Sequence, residues 1–504
     1  MSKTFKIYVG FLLFMVLSFM ACGQAGKMHP VSFLLADREF CISGDTLWFK
    51  VFHKNGDDHK GNIAHVQLTT AENKLISETY KSSVAGWAEG HLPVPDSLST
   101  GVYFLSAFFS GQNTNHPMIL QKKSLFVYNR FQKTTTEFPV PAVSKGNSDK
   151  NFKTKVPIKP ASSVFRPREK VTAEINMKNI HAAGIDRVVV KAGYLDEFAA
   201  EAGGNFLVQL TGQQEEVPEF EEKNGILIRG KVVNPTTARA GENVMMLLSL
   251  PDNPHYFDYY ITSGDGIFYF FLKDAYGEGE IVLQAFSEGG EQWKVTLGKE
   301  NMDVKEPLVL ENRLLSAAQS RFIEEMVDAS FYNRLFGEAY ALSPAGFEMP
   351  DRFEIPFYGK PYERVVLDDF IELPGFHEIS RELLHGVQYR ERNDEITLRM
   401  LNLEAKHFFE DQPLRLINGI PVFSNSLLAP LGSKDVDYID YVLEDRVYGD
   451  LRFSGVLAVY LKDQSNRWMA GQPNLFRFKV PLLQFESSPS YMDAPRIDDN
   501  IPDM

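Results

Sequence analysis

Cysteine is nearly absent, with only Cys22 and Cys41 in a chain of 504 residues. That excludes a disulfide-stapled scaffold and any zinc or iron–sulfur site built on thiolates, so stability must come from packing. Positive charge is also short. With 52 Lys+Arg against 66 Asp+Glu the formal charge is −14, a sign that opposes a phosphate backbone and disfavours nucleic acid as a partner. There is no Gly-x-Ser-x-Gly nucleophile elbow and no Gly-x4-Gly-Lys-Ser/Thr phosphate loop. Long apolar runs are missing beyond the first. Lys3 and Lys6 precede an apolar stretch from Ile7 to Met20, which is 14 residues. A bilayer-crossing helix needs ~20. The stretch reads as a secretory signal, residues 1–21.

What remains is the composition of an ordinary soluble protein, 44% hydrophobic and 23% charged, able to bury normal cores. At roughly 100–200 residues per domain the length predicts about three to five domains. From Val31 to Tyr128 short β-rich runs alternate with turn signals, as in Leu47-Trp48-Phe49-Lys50-Val51-Phe52, Asn55-Gly56-Asp57-Asp58 and Ala64-His65-Val66-Gln67-Leu68-Thr69. Strands at this spacing predict a sandwich over residues 22–130. A Lys-, Pro- and Ser-rich stretch, 131–162, predicts a linker, and Val171–Ile175 and Asp186–Ala192 predict strands of a second sandwich over 163–222. A third β unit, 223–305, opens at Ile226, and its Asp265-Gly266 lies between two apolar runs, predicting a hairpin. Leu314, Leu315, Ala318, Phe322, Ile323, Met326 and Val327 recur at helical spacing, predicting a helical insert and connector over 306–385.

Four stretches resemble known families. Ala21-Cys22-Gly23 after the apolar run is similar to a bacterial lipobox, which implies cleavage after Ala21 and a diacylglyceryl thioether on Cys22. Ordinary signal-peptidase cleavage, with Cys22 left unmodified or paired to Cys41, stays open, as does the membrane leaflet. Ala36-Asp37-Arg38-Glu39-Phe40-Cys41-Ile42-Ser43-Gly44-Asp45-Thr46-Leu47-Trp48 resembles the opening of the MG2-type domain of the α2-macroglobulin family. The residues that carry it are Asp37, Gly44, Asp45 and Trp48, with a weaker echo at Pro167–Val171. Residues 223–305 are similar to a transthyretin-like, carboxypeptidase-regulatory sandwich. Finally, Leu414-Arg415-Leu416-Ile417-Asn418-Gly419-Ile420-Pro421, followed by Val436–Asp445 and the strand around Gly455, resembles the plug domain of TonB-dependent outer-membrane transporters, over 386–485 with a tail at 486–504. Asn418 stands where that family usually has Asp. The combination resembles Bacteroidota lipoproteins that join macroglobulin-like and plug-like domains.

These resemblances imply a mainly β chain: tandem immunoglobulin-like or macroglobulin-like sandwiches, a transthyretin-like sandwich, a short helical insert and an α+β plug-like domain. The motif residues specify turns and cores rather than chemistry. A thioester trap needs Gly-Cys-Gly-Glu-Gln, which the sequence lacks. Cys41, between Phe40 and Ile42, reads as a buried inert thiol. His377-Glu378 lacks the second histidine of a zinc-protease helix, and Asp57-Asp58 and Asp368-Asp369 read as solvated pairs. The expectation is therefore no catalytic residue, no metal and no cofactor. A plug-like module without the roughly ten-residue strands of a surrounding barrel implies a separate outer-membrane β-barrel protein as partner. The chain would be its lipid-anchored accessory in uptake, secretion or barrel assembly. The aromatic clusters His255–Tyr260 and Phe353–Tyr362, in a chain that is 12% aromatic, leave a second reading open: a periplasmic or surface module that binds glycans or proteases.

Overall fold

The computed structural model describes residues 32–53, 63–84, 86–109, 119–132, 137–141, 158–160, 173–175, 198, 205–209, 225–251, 253–273, 275–287, 289–298, 309–337, 355–392 and 395–484. The fold is mainly β and built of stacked sheets. It divides into two units. One draws on residues 1–224, 301–342 and 487–504, the other on 225–300 and 343–486.

In the first unit a three-stranded sheet, Ser32–Ala36, Thr46–His53 and Trp87–Pro93, faces a larger sheet. The larger sheet runs in the order Asn205–Gln209, Ile119–Tyr128, Gly101–Phe109, Ile63–Thr69 and Leu75–Ser82, with Phe40–Ile42 parallel to Ile119–Tyr128. Strand alternation sends Leu34, Leu47, Phe49 and Val51 from one sheet onto Val66, Leu68, Leu105 and Val127 from the other, closing one core. Asn205–Gln209, from the segment read as a second sandwich, is hydrogen-bonded antiparallel to Ile119–Tyr128.

The large sheet is buried on its second face too. Every residue of Ile63–Thr69 is buried, where an exposed outer face follows from simple alternation. Phe40, Phe104, Phe126, Phe138, Phe198, Phe322 and Ile323 form an aromatic second core there, with Phe40 and Phe198 stacked at 5.0 Å between ring centroids. Helix α1, Ala317–Gly337, supplies Phe322 and Ile323. Its start is a capping box: the Gln319 amide donates to Ser316 Oγ at 3.1 Å, and the Ser316 amide to Gln319 Oε1 at 3.0 Å. The helical periodicity read from Leu314 begins too early. Leu310–Leu314 is a strand paired with Glu137–Pro141, because the Ser316 cap starts the helix only at Ala317.

The second unit opens with a sandwich. Ile267–Lys273, Gly225–Val233 and Lys294–Leu297 make one sheet, and Asn253–Ile261, Met245–Leu250, Glu278–Phe286 and Leu475–Pro481 the other. The hairpin expected around Asp265-Gly266 is not formed. The turn is there, with Gly266 at φ 72° and Asp265 Oδ1 accepting from the Ile267 amide at 3.0 Å, but its two flanking strands enter opposite sheets. The Gly266 carbonyl accepts from the Val232 amide at 2.8 Å, which carries the chain across.

A mixed five-stranded sheet follows, in the order Glu363–Val366, Val436–Tyr448, Leu451–Leu461, Leu414–Ile417 and Ile420–Pro421, with Leu414–Ile417 parallel to Leu451–Leu461. Helix α2, Phe376–Glu382, and the hairpin Val387–Arg392 with Glu395–Asn402 cover one face through Phe376, Ile379, Tyr389, Leu398 and Met400. Leu475–Pro481 lies inside the stretch read as plug-like and pairs with Glu278–Phe286 of the sandwich. Among the described residues no helix is long and apolar enough to cross a membrane.

Candidate functional site

The residues singled out by sequence occupy two separate structural positions. In the first unit Asp37 and Trp48 bind each other twice: the Asp37 amide donates to the Trp48 carbonyl at 2.9 Å, and the Trp48 amide to Asp37 Oδ1 at 3.1 Å. The indole of Trp48 lies 5.2 Å from the His91 ring across the sheet. Ser43-Gly44-Asp45 is a turn with Gly44 at φ 83°, a conformation that favours glycine. The Asp45 carboxylate closes it, accepting from the Ile42 amide at 3.0 Å.

The same carboxylate faces helix α1. Ser330 Oγ donates to Asp45 Oδ1 at 2.8 Å, and Arg334 Nη2 lies 3.6 Å from that oxygen and 2.6 Å from the Ser43 carbonyl. Burial pushes the Asp45 carboxyl up, against the hydrogen bonds and the nearby arginines that favour its charge. The turn therefore docks the helix. Cys41 is buried beside it, 1% exposed. Cys22, Asp57 and Asp58 lie outside the described residues.

In the second unit Asn418 at φ 51° and Gly419 at φ 80° make a two-residue turn between Ile417 and Ile420. Asn418 is 1% exposed, and its side chain works in both directions. Its Oδ1 accepts from the Leu461 amide and its Nδ2 donates to Asn466 Oδ1, each at 2.8 Å. The Pro421 carbonyl accepts from Gln284 Nε2 at 2.9 Å. Gly455, at φ 87°, sits where the register of Val436–Tyr448 against Leu451–Leu461 slips between Val442 and Asp445. A Cβ there would lie 2.9 Å from the Val442 carbonyl, so only glycine fits this bulge without strain.

The aromatic clusters meet one another. Phe257 stacks on Phe357 at 4.3 Å and 15°, Tyr448 meets Phe257 edge-on at 5.4 Å, and the Tyr448 hydroxyl donates to the Phe257 carbonyl at 2.6 Å. Both stretches thus join the sandwich to the mixed sheet. His377 Nδ1 bonds the Tyr389 carbonyl at 3.1 Å and Asp368 pairs with Lys462 at 2.5 Å, so these two titratable groups are placed in structural contacts.

Sequence reading missed a buried polar network in the mixed sheet. Asp440 is fully buried, gripped by Arg364, and accepts from the Tyr358 hydroxyl at 3.0 Å, with Tyr460 Oη 3.1 Å beyond. Burial, then the neighbouring acidic groups, pushes the Tyr358 hydroxyl far above its ordinary value. The only available signal was an acid in an otherwise apolar strand, and Asp437, Asp440 and Asp445 all offered it. A second missed feature is Lys122, 1% exposed, whose Nζ donates to Asn73 Oδ1 at 2.5 Å and Thr69 Oγ1 at 3.4 Å. Burial pushes its amine down to about 8. Among the described residues no group of three or more His, Cys, Asp or Glu could hold a metal ion.

No protein-family model matches the sequence, and no curated protein matches it either. Solved structures similar to part of it include trypsin-activated α2-macroglobulin from Escherichia coli, at 8% identity and TM-score 0.16, covering 53% of this chain and 15% of that one. Salmonella α2-macroglobulin reacted with methylamine is similar at 8% identity and TM-score 0.17, over 56% of this chain and 14% of that one. The chain therefore spans about a seventh of the length of these two proteins.

Proposed function

We propose that this chain is a non-enzymatic outer-membrane lipoprotein, anchored through Cys22, that binds a separate β-barrel protein as its accessory in uptake, secretion or barrel assembly. The reading rests on the lipobox-like Ala21-Cys22 and on the macroglobulin-like and plug-like motifs of the sequence. The observation that carries it is how the motif residues are used. Asp37, Asp45, Asn418 and Gly455 are committed to turns, a helix contact and a bulge, so the motifs that suggest the reading shape the surfaces of their units. One such surface follows the edge strand Glu363–Val366, where Tyr362 is 54%, Phe370 49% and Ile371 81% exposed. Exposed aromatic and aliphatic side chains in one stretch suit a protein contact.

Mild detergent extraction and pull-down of the full-length protein, read by mass spectrometry, tests the reading. A specific β-barrel protein should co-purify. Metabolic labelling with a fatty-acid analogue should mark the wild type and not Cys22→Ser. Labelling without any barrel in the pull-down would sink the accessory role and leave the anchor standing. Retention on a glycan column, with no barrel captured, would favour the binding-module reading.

A further inference from the structure

The outer face of the three-stranded sheet in the first unit carries aromatic rings where a solvated face calls for polar side chains. Leu47, Phe49 and Val51 enter the core of the sandwich, so Trp48, Lys50 and Phe52 point the other way. On the paired strand Ala88 and Leu92 enter the same core, and Trp87, Glu89 and His91 alternate outward. The register sets these six side chains in three rows, with Trp48 opposite His91, Lys50 opposite Glu89 and Phe52 opposite Trp87. All six are half-buried, so each keeps part of its surface in water. The chain has four tryptophans, and the other two are packed inside: Trp293 is 9% exposed and Trp468 lies against the core around Phe376. Among the described residues neither Trp48 nor Trp87 belongs to an apolar core.

The two aromatic rows flank an ion pair. At one end the Trp48 and His91 rings are 5.2 Å apart. In the middle Lys50 Nζ lies 2.8 Å from Glu89 Oε2, 4.2 Å from the centre of the Trp87 ring and 6.0 Å from that of Phe52. The outer rows are ~14 Å apart, at ~3.4 Å per residue. The charges on the face cancel. Lys50 neutralises Glu89, and Asp37, at the Trp48 end, pairs with Arg38 at 2.8 Å. Burial, then the charge of Lys81 on the strand Leu75–Ser82, holds His91 below its ordinary value, which keeps the ring neutral at pH 7. A neutral face gives neither a cationic nor an anionic partner a Coulomb advantage.

The face is also small. Three strands ~4.8 Å apart and four residues along them make a patch on the order of 150 Å², against about 800 Å² per partner in a stable protein interface. A patch of this size suits a ligand rather than a folded protein. Such a ligand must present apolar surface to the outer rows and groups that both donate and accept to the middle one, because Lys50 only donates and Glu89 only accepts. A pyranose ring does both, with an apolar face of C–H groups and a rim of hydroxyls. Two aromatic rows along one sheet favour a chain of sugars that runs straight over one that coils.

We propose that this face binds a neutral, ribbon-like, β-linked glycan, stacked on the Trp48 and Trp87 rows and hydrogen-bonded through its hydroxyls to Lys50 and Glu89. The site stands independently of the barrel partner, and binding involves no covalent step.

Isothermal titration calorimetry of the full-length protein, in a detergent without a sugar headgroup, tests it with cellohexaose, xylohexaose and mannohexaose, and with maltohexaose and polygalacturonate for comparison. At least one of the first three should bind, more tightly than either comparison glycan and with little dependence on salt. Trp48→Ala and Trp87→Ala should each weaken binding at least tenfold, and Trp87→Tyr, which keeps a ring, should weaken it less. Urea unfolding checks that each variant is folded. Glu89→Gln leaves the rings in place and should weaken binding at least threefold, which keeps the test decisive if a tryptophan variant does not fold. If none of the three hexasaccharides binds, if maltohexaose or polygalacturonate binds more tightly than all of them, or if the folded variants bind as the wild type does, the proposal fails. Loss of a co-purifying protein from Trp87→Ala with glycan binding unchanged would make the face a protein contact and overturn it as well.

Discussion

Arg364 and Asp440 stand directly opposite each other on paired strands. The guanidinium closes on the carboxylate through Nε at 2.7 Å and Nη2 at 2.8 Å. The Asp440 side chain is 0% exposed whereas that of Arg364 is 48% exposed, so the charge is buried on one side of the pair only. The Arg364 guanidinium also lies 4.4 Å over the Tyr438 ring, which helps keep it in position.

From this asymmetry the two partners should differ under mutation. Arg364→Met strands a buried carboxylate and should cost about 3–5 kcal/mol. Replacing both, as Arg364→Met with Asp440→Leu, removes the charge and its need together and should recover a large part of that loss. Tyr358 then remains with Tyr460 as its hydroxyl partner. Urea unfolding of the two variants, followed by tryptophan fluorescence, measures both, and a double mutant no better than the single one would show that the pair is not the energetic unit.

Asp45 ties a turn to a helix 285 residues away in sequence. Asp45→Ala should lose the bond to the Ile42 amide and the one from Ser330, for about 2 kcal/mol together. Asp45→Asn should cost less, because burial already disfavours the charged carboxylate and a neutral amide keeps an acceptor in place. Hydrogen exchange of the α1 amides should rise in Asp45→Ala, and unchanged protection would show that the apolar contacts of Phe322 and Ile323 and the Arg334–Ser43 contact hold the helix without Asp45.

How far the sequence could be read follows from these contacts. The turns at Gly44-Asp45 and Asn418-Gly419 were legible because positive φ favours Gly or Asn. The strands were legible from alternation. What alternation could not reveal was the second layer on the sheet of Ile63–Thr69, since Phe198 and Phe322 arrive there from far along the chain. Nor could it predict that Leu475–Pro481 would return to pair with Glu278–Phe286. The hairpin misreading at Asp265-Gly266 has the same origin, because a turn sequence fixes local geometry but not which sheet each strand joins. Arg415 and Lys122 carried no signal of their burial, since Arg415 between two leucines reads as an exposed strand position and Lys122 between Gln121 and Lys123 reads as part of a solvated stretch.

The bulge at Gly455 makes a sharp prediction. Gly455→Ala places a methyl 2.9 Å from the Val442 carbonyl and 3.3 Å from Met400 Sδ, on a backbone at φ 87°. The cost should be about 1–3 kcal/mol. Gly471→Ala has φ 79° but no atom within 4 Å of the new methyl, so it isolates the conformational part of the penalty. If the two substitutions cost the same in thermal unfolding, the close approach to Val442 contributes nothing.

Lys122 sets a pH dependence with a defined sign. Its folded amine is pushed down to about 8, against 10.5 for the unfolded chain, because burial disfavours the ammonium, and among the described residues the acceptors it bonds, Thr69 and Asn73, are neutral. Below pH 8 both states are protonated and the folded state bears the full cost. Between about 8 and 10.5 the unfolded state binds more protons, so stability rises with pH through that window. From pH 7 to 9.5 the rise from this group should be about 2 kcal/mol, taking 1.36 kcal/mol per pKa unit. Lys122→Met removes the titrating amine, so the unfolding free energy of the variant minus that of the wild type should fall by that amount over the same interval. Tyrosines elsewhere titrate equally in both proteins and cancel in the difference. A difference that stays constant with pH would mean that Lys122 keeps an ordinary pKa in the folded chain, and that the buried amine is charged and compensated.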